Sequence, residues 1–155
     1  MKDSKIQILL VEDDEGLSRQ YKWALADFEI ALAGNRENAI AEFRRVRPAV
    51  VVLDLGLPPD ADQASEGMAA LEAMLAMAPE TKIIVATGNE SREVALRAVQ
   101  LGAYDFHQKP VDLDVLKLMI ARAARLHALE AENRRLQELS PRSPVDGIVA
   151  ASPQM

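Results

Sequence analysis

The chain has 155 residues, 49% of them apolar and only 4% aromatic, with a formal net charge of −6 and no cysteine. That length holds one domain with an appendage, and the apolar share excludes wholesale disorder. The negative charge argues against a piece that grips nucleic acid by itself through clustered Lys and Arg, and the missing cysteine excludes disulfides, thiolate metal sites and cysteine nucleophiles.

In chain order, Ile6 to Val11 predicts a strand and Glu15 to Ala26 a helix. Phe28 to Ala33 predicts a second strand, followed by a helix from about Arg36 to Val46 that Pro48 closes. Ala49 to Leu53 is the third strand. A loop rich in Pro and Asp leads to a helix from about Gly67 to Met77, ended by Pro79. Lys82 to Ala86, Ser91 to Leu101 and Tyr104 to Gln108 read as strand, helix and strand, and a last helix begins near Asp112. Strict alternation with short connections predicts an α/β fold, an open parallel sheet with helices on both faces.

The strands also suggest their order. Leu9 to Val11, Val50 to Leu53 and Ile83 to Ala86 are continuous apolar runs, as expected of central strands covered on both faces. The second strand alternates (Phe28, Ile30, Leu32) and the fifth mixes polar with apolar residues, so both read as edges. This fits the doubly wound, flavodoxin-like order 2-1-3-4-5.

The final helix predicts an extension beyond the domain. From Leu113 it runs without Gly or Pro to about Leu139, and Leu126, Leu129, Asn133 and Leu136 follow a heptad seam with Asn133 at an a position. Residues 1–125 are thus expected to form the domain and 126–139 a helical, coiled-coil linker. Ser140-Pro141-Arg142-Ser143-Pro144 breaks the helix, leaving 140–155 as a flexible tail.

In such sheets ligands bind beyond the carboxyl ends of the strands, where the strand order reverses. Glu12, Asp13 and Asp14 follow the first strand, and Asp54 follows the third. Thr87 and Gly88 follow the fourth, and Lys109-Pro110 the fifth. The second ends in Ala33-Gly34 and is expected to contribute nothing. Carboxylates without His or Cys favour a hard cation, Mg²⁺ being the usual one with few carboxylates and several waters. Asp54 is suited to be an oxygen nucleophile towards phosphorus. Lys109 and the metal would neutralise phosphoryl charge, with Thr87 hydrogen-bonding a phosphoryl oxygen beside Gly88. Taken singly, each has a structural explanation: the acids as a charged helix start, Asp54 as a cap, the Thr-Gly and Lys-Pro pairs as turns. Their recurrence at matching strand ends favours the chemical reading. A dehalogenase-type phosphatase would need a second Asp at position 56, which is Gly. A dinucleotide enzyme would need a glycine-rich turn where the acids stand.

Ile8-Leu9-Leu10-Val11-Glu12-Asp13-Asp14, Val51-Val52-Leu53-Asp54, Ile84-Val85-Ala86-Thr87-Gly88 and Gly102-Ala103-Tyr104-Asp105-Phe106-His107-Gln108-Lys109-Pro110 resemble the signature blocks of response-regulator receiver domains. The resemblance implies Asp54 as phosphoacceptor of a two-component system, served by a sensor histidine kinase. It implies Glu12 and Asp13 as the acid pair, with Asp13 a direct metal ligand, and the Gly56 carbonyl completing the Mg²⁺ site. It further implies Thr87 and Phe106 as a switch pair, Lys109 as the phosphate-binding lysine, and a cis Lys109–Pro110 bond. No turnover is implied beyond self-phosphorylation and autodephosphorylation. Homodimers would form through the last helix and linker, or through the face of helix 4, strand 5 and helix 5.

One departure stands out. Gly67 lies thirteen residues after Asp54 (67 − 54), farther than the family places this glycine. The extra stretch Pro59-Asp60-Ala61-Asp62-Gln63-Ala64-Ser65 lengthens the loop beside the site. The tail Gly147 to Met155 resembles the opening of the AAA+ module of sigma-54-dependent transcriptional activators, of the NtrC-like kind. The long third loop is similar to that of regulators linked to PEP-CTERM and exopolysaccharide systems. The implied parent would bind DNA and sigma-54 RNA polymerase through domains absent here; a stand-alone docking adaptor is the alternative. No run reaches the roughly 20 apolar residues of a membrane span, and the start lacks the apolar core of a signal peptide, so a cytoplasmic protein is expected.

Overall fold

The computed structural model describes residues 5–57, 65–88, 92–110 and 112–139. Ten elements alternate: β1 (Gln7–Val11), α1 (Glu15–Ala24), β2 (Glu29–Ala33), α2 (Arg36–Val46), β3 (Val50–Asp54), α3 (Ser65–Met77), β4 (Lys82–Thr87), α4 (Arg92–Leu101), β5 (Asp105–Gln108) and α5 (Leu113–Leu139). Every strand pair is parallel and the order is β2-β1-β3-β4-β5. This is the flavodoxin-like arrangement, with the two expected edges.

Alternating side chains of a strand face opposite sides of its sheet, and the two faces have separate cores. Leu9, Val11, Val51, Leu53, Ile83 and Val85 pack against Phe43 of α2, Leu71 and Met74 of α3, and Ala98 of α4. Ile8, Leu10, Val50, Val52 and Ile84 pack against Tyr21 of α1 and Leu25 just after it, and against Leu116, Ile120 and Ala123 of α5. Burying one such aliphatic side chain is worth about 1.5–3 kcal/mol, so the central strands anchor the carboxyl rim rigidly.

Capping explains where the helices begin. Asp14 accepts from the Leu17 N–H at 3.1 Å, Asn35 from Asn38 at 2.8 Å, and Asp112 from Asp114 and Val115 at 3.1 and 3.3 Å. Such a cap contributes about 1 kcal/mol. α1 ends at Ala24, short of the expected Ala26, because Leu25 caps it and sinks fully into the core. α2 ends on Arg47 in the left-handed region (φ 52°), directly before Pro48, whose ring disfavours a helical preceding residue.

Gly67, in the first turn of α3, has a specific reason to be glycine. A Cβ there would stand 2.4 Å from the Leu55 Cα and 2.5 Å from its carbonyl oxygen. α3 therefore lies directly on the backbone that follows Asp54, whatever the length of the preceding loop. Residues 58–64 of that loop fall outside the described ones.

α5 is one continuous helix across the expected boundary at 125/126. Its buried residues end at Ala124, and everything from Glu132 to Leu139 is exposed. A 2.7 Å ion pair between Glu130 and Lys82, the first residue of β4, holds it against the amino end of the sheet. The AAA+-like tail expected at 140–155 lies outside the described residues. Among the described residues, no helix is long and apolar enough to cross a membrane.

Candidate functional site

Parallel pairing carries the ends of β1, β3, β4 and β5 to one rim, and the sequence-selected residues meet there. Glu12 directly follows β1. Its N–H donates to Ala33 O at 2.9 Å, its carbonyl accepts from Ser18 Oγ at 3.3 Å, and its Oε2 accepts from the Asp14 N–H at 3.3 Å. Only 5% of Glu12 is exposed, whereas Asp13 faces solvent. Asp54 closes β3, buried, with the Gly56 N–H donating to Oδ1 at 2.9 Å.

Lys109 joins the acids. Its Nζ lies 3.2 Å from Glu12 Oε1 and 3.2 Å from Asp54 Oδ2. Its N–H donates to Thr87 O at 2.8 Å, and the Lys109–Pro110 bond is cis, as the sequence implied. Thr87 is buried at the end of β4, while Gly88 is exposed. Phe106 pairs with Val85 in register and is 38% exposed, its ring on the surface.

Carboxylate oxygens of Glu12, Asp13 and Asp54 all lie within 4.8 Å of one another. The electrostatics record the crowding. Burial, then the Asp54 charge, push the Glu12 carboxyl up to about 7, against the pull of Lys109. Burial works to lower the Lys109 pKa, but the charges of Asp54 and Glu12 prevail and leave it raised. An oxygen-only set with surplus negative charge and one exposed member suits a hard divalent cation that keeps several waters. The donor set therefore fits Mg²⁺.

The edge strand contributes more than expected. Ala33 holds the Glu12 backbone, and Leu32, Ala33 and Gly34 line a cleft of about 590 Å³ with Glu12, Asp13, Ser18, Arg19 and Glu42. An edge strand lacks a neighbour on one side, so its end opens between α1 and α2; Leu32 is accordingly 41% exposed. Ser18, which holds the Glu12 carbonyl, is a further site residue that the rim motif does not select, while Asp14, already in the acidic run, serves through its N–H on Glu12 Oε2.

Residues 8–121 match the response regulator receiver domain family. The chain belongs to that family. Among its relatives, Regulatory protein AtoC of Escherichia coli K12 is 34% identical over 152 residues, covering 96% of this receiver chain and 32% of AtoC. The alginate biosynthesis transcriptional regulatory protein AlgB of Pseudomonas putida KT2440 is 31% identical over 162 residues, covering 99% and 33%. The receiver chain thus spans about a third of the length of these relatives. The crystal structure of NtrX from Brucella abortus in complex with ADP superposes with a TM-score of 0.77 at 26% identity, over 95% of this chain and 31% of that one.

Proposed function

We propose that this receiver accepts a phosphoryl group on Asp54 from a sensor histidine kinase and passes the change to a transcriptional output. The observation that carries this reading is the environment of Asp54: a buried carboxylate at a strand end, with Lys109 on one oxygen, Gly56 on the other and two further acids alongside.

In this reading an Asp54 oxygen attacks the phosphorus of a phosphohistidine, and the P–N bond breaks with its electrons returning to the imidazole ring. Lys109 leaves its Glu12 contact to hold a phosphoryl oxygen, and the Thr87 hydroxyl turns inward to donate to another beside Gly88. Asp13, Glu12, Asp54 and the Gly56 carbonyl would hold Mg²⁺, which supplies further neutralisation of the phosphoryl charge. Inward movement of Thr87 vacates space for the Phe106 ring, which then leaves the surface and remodels the α4–β5–α5 face. The domain is not a turnover enzyme beyond self-phosphorylation and loss of the phosphoryl group.

The relatives AtoC and AlgB, named as a regulatory and a transcriptional regulatory protein, support a parent that is a sigma-54-dependent, NtrC-like activator. DNA and polymerase contacts would belong to its other domains, and the α5 seam would pair two chains. A helix that continues beyond the last buried turn favours this over a stand-alone adaptor.

Incubation with acetyl phosphate and Mg²⁺ should add one phosphoryl group by mass, and Asp54→Asn should abolish it. A chelator should stop labelling of the wild type. Full labelling of the Asn variant would overturn the assignment.

A further inference from the structure

Tyr21 sits in the second turn of α1 with 1% of its surface exposed, among Ile8, Leu10, Leu25, Val52 and Ile120. Its hydroxyl is buried and has no hydrogen-bond partner among the described residues. Native proteins satisfy nearly all buried polar groups, with protein or with ordered water. An aliphatic side chain would fill this pocket without any such demand.

Two features give the phenol a direction. Helical side chains lean towards the helix N-terminus, so the Tyr21 ring extends back along the first turn of α1. Glu12 stands just before that turn, its carbonyl held by Ser18 of the same helix. Leu10 and Val52, in the same core cluster as Tyr21, lie two residues before Glu12 and Asp54, so strand alternation puts both acids on the face of the sheet that Tyr21 covers. In keeping with this, burial and then the charges of Glu12 and Asp54 hold the phenol's pKa above its usual range.

We propose that Tyr21 is a positioning residue for the acid site, its hydroxyl donating to one buried water that in turn donates to the Glu12 carboxylate. A buried water is stable where two or more polar groups converge. Glu12 is gripped from the rim by the Asp14 N–H and Lys109; the water grips it from the core. The carboxylate then stays in place when Lys109 is drawn away to another anion. Nothing in the sequence marks this role, since Tyr at a core helix position reads as packing.

The inference rests on the metal-site reading, and the experiment separates the two. A high-resolution crystal structure of the metal-free protein should contain solvent density within hydrogen-bond distance of both Tyr21 Oη and the Glu12 carboxylate. Mg²⁺ titration, followed through the Gly56 amide, should show about tenfold weaker binding in Tyr21→Phe, the usual scale for losing a partner one shell from a metal. The amides of Ile8, Val52 and Ile120 should keep their shifts. Absence of that solvent density overturns the proposal, as does Tyr21→Phe binding Mg²⁺ like the wild type. Weaker binding accompanied by general shifts of those core amides would mark packing and overturn it too. A wild type that binds no Mg²⁺ would sink the metal reading, while the crystallographic arm still decides the water.

Discussion

Glu12, with its carboxyl raised from 4.5 to about 7, makes the metal-free fold sensitive to pH. A folded value above the unfolded one means that protonation favours the folded state. The contribution is fully present below about 4.5 and is lost as pH rises through about 7. In chelator, thermal unfolding should show stability declining across that window, by at most about 3 kcal/mol. Glu12→Gln should flatten the decline, and Mg²⁺ added above pH 7 should restore the wild type. An unchanged slope in the Gln variant would remove Glu12 as its source. At this scale the rim was readable because Glu12, Asp54, Thr87 and Lys109 each follow a strand, so position disclosed role. Ser18 and Tyr21 were not readable: their spacing along α1 is that of ordinary helix residues, and only coordinates reveal which hydroxyl holds a carbonyl and which lacks a partner.

Among the elements, α3 is the one whose placement bears directly on the phosphoacceptor. Gly67 touches the Leu55 backbone, and the Leu55 N–H is itself tied to Ala86 O at 3.0 Å. A methyl group at position 67 must therefore displace backbone on one side or the other. Gly67→Ala should cost about 1–3 kcal/mol, as overpacking does, and should slow labelling of Asp54 by acetyl phosphate because the Gly56 contact follows Leu55. Unfolding midpoints and labelling rates read this together; wild-type values for both would refute the contact. The ion pair of Arg36 with Glu66 at 2.8 Å ties the starts of α2 and α3 together beside it. The sequence disclosed the insertion before Gly67 but not that Gly67 keeps its packing, since register across a loop depends on where the helix lands. Which strands are central and which are edges was legible from hydrophobic runs, because burial on both faces leaves few polar positions; the order among the three central strands came from the fold type that this pattern fits. The open end of β2 was not, as alternation says nothing of which helices flank it.

At the scale of the molecule, α5 is the element left incomplete. Leu129, Leu136 and Leu139 are 56%, 54% and 68% exposed along its outer stretch. A helix this polar gains little from propensity alone, and an Asn at an a position favours a two-stranded pairing at some cost in stability. Sedimentation should show self-association at about micromolar concentrations or weaker, lost in Leu129→Asp/Leu136→Asp and altered by beryllofluoride with Mg²⁺. Identical behaviour of both proteins would reduce the helix to a spacer.

The ion pair between Lys82 and Glu130 has a further consequence for traffic around the molecule. α5 starts beside the acid rim and is fastened to β4 at its opposite end, about 25 Å further on at 1.5 Å per residue. On the proposed function, a kinase visiting Asp54 and a second helix lying along the exposed leucines would occupy opposite poles and would not compete for room. Delivery of the signal and its readout would then proceed on one copy at the same time, and either pole would be free to diversify without obstructing the other.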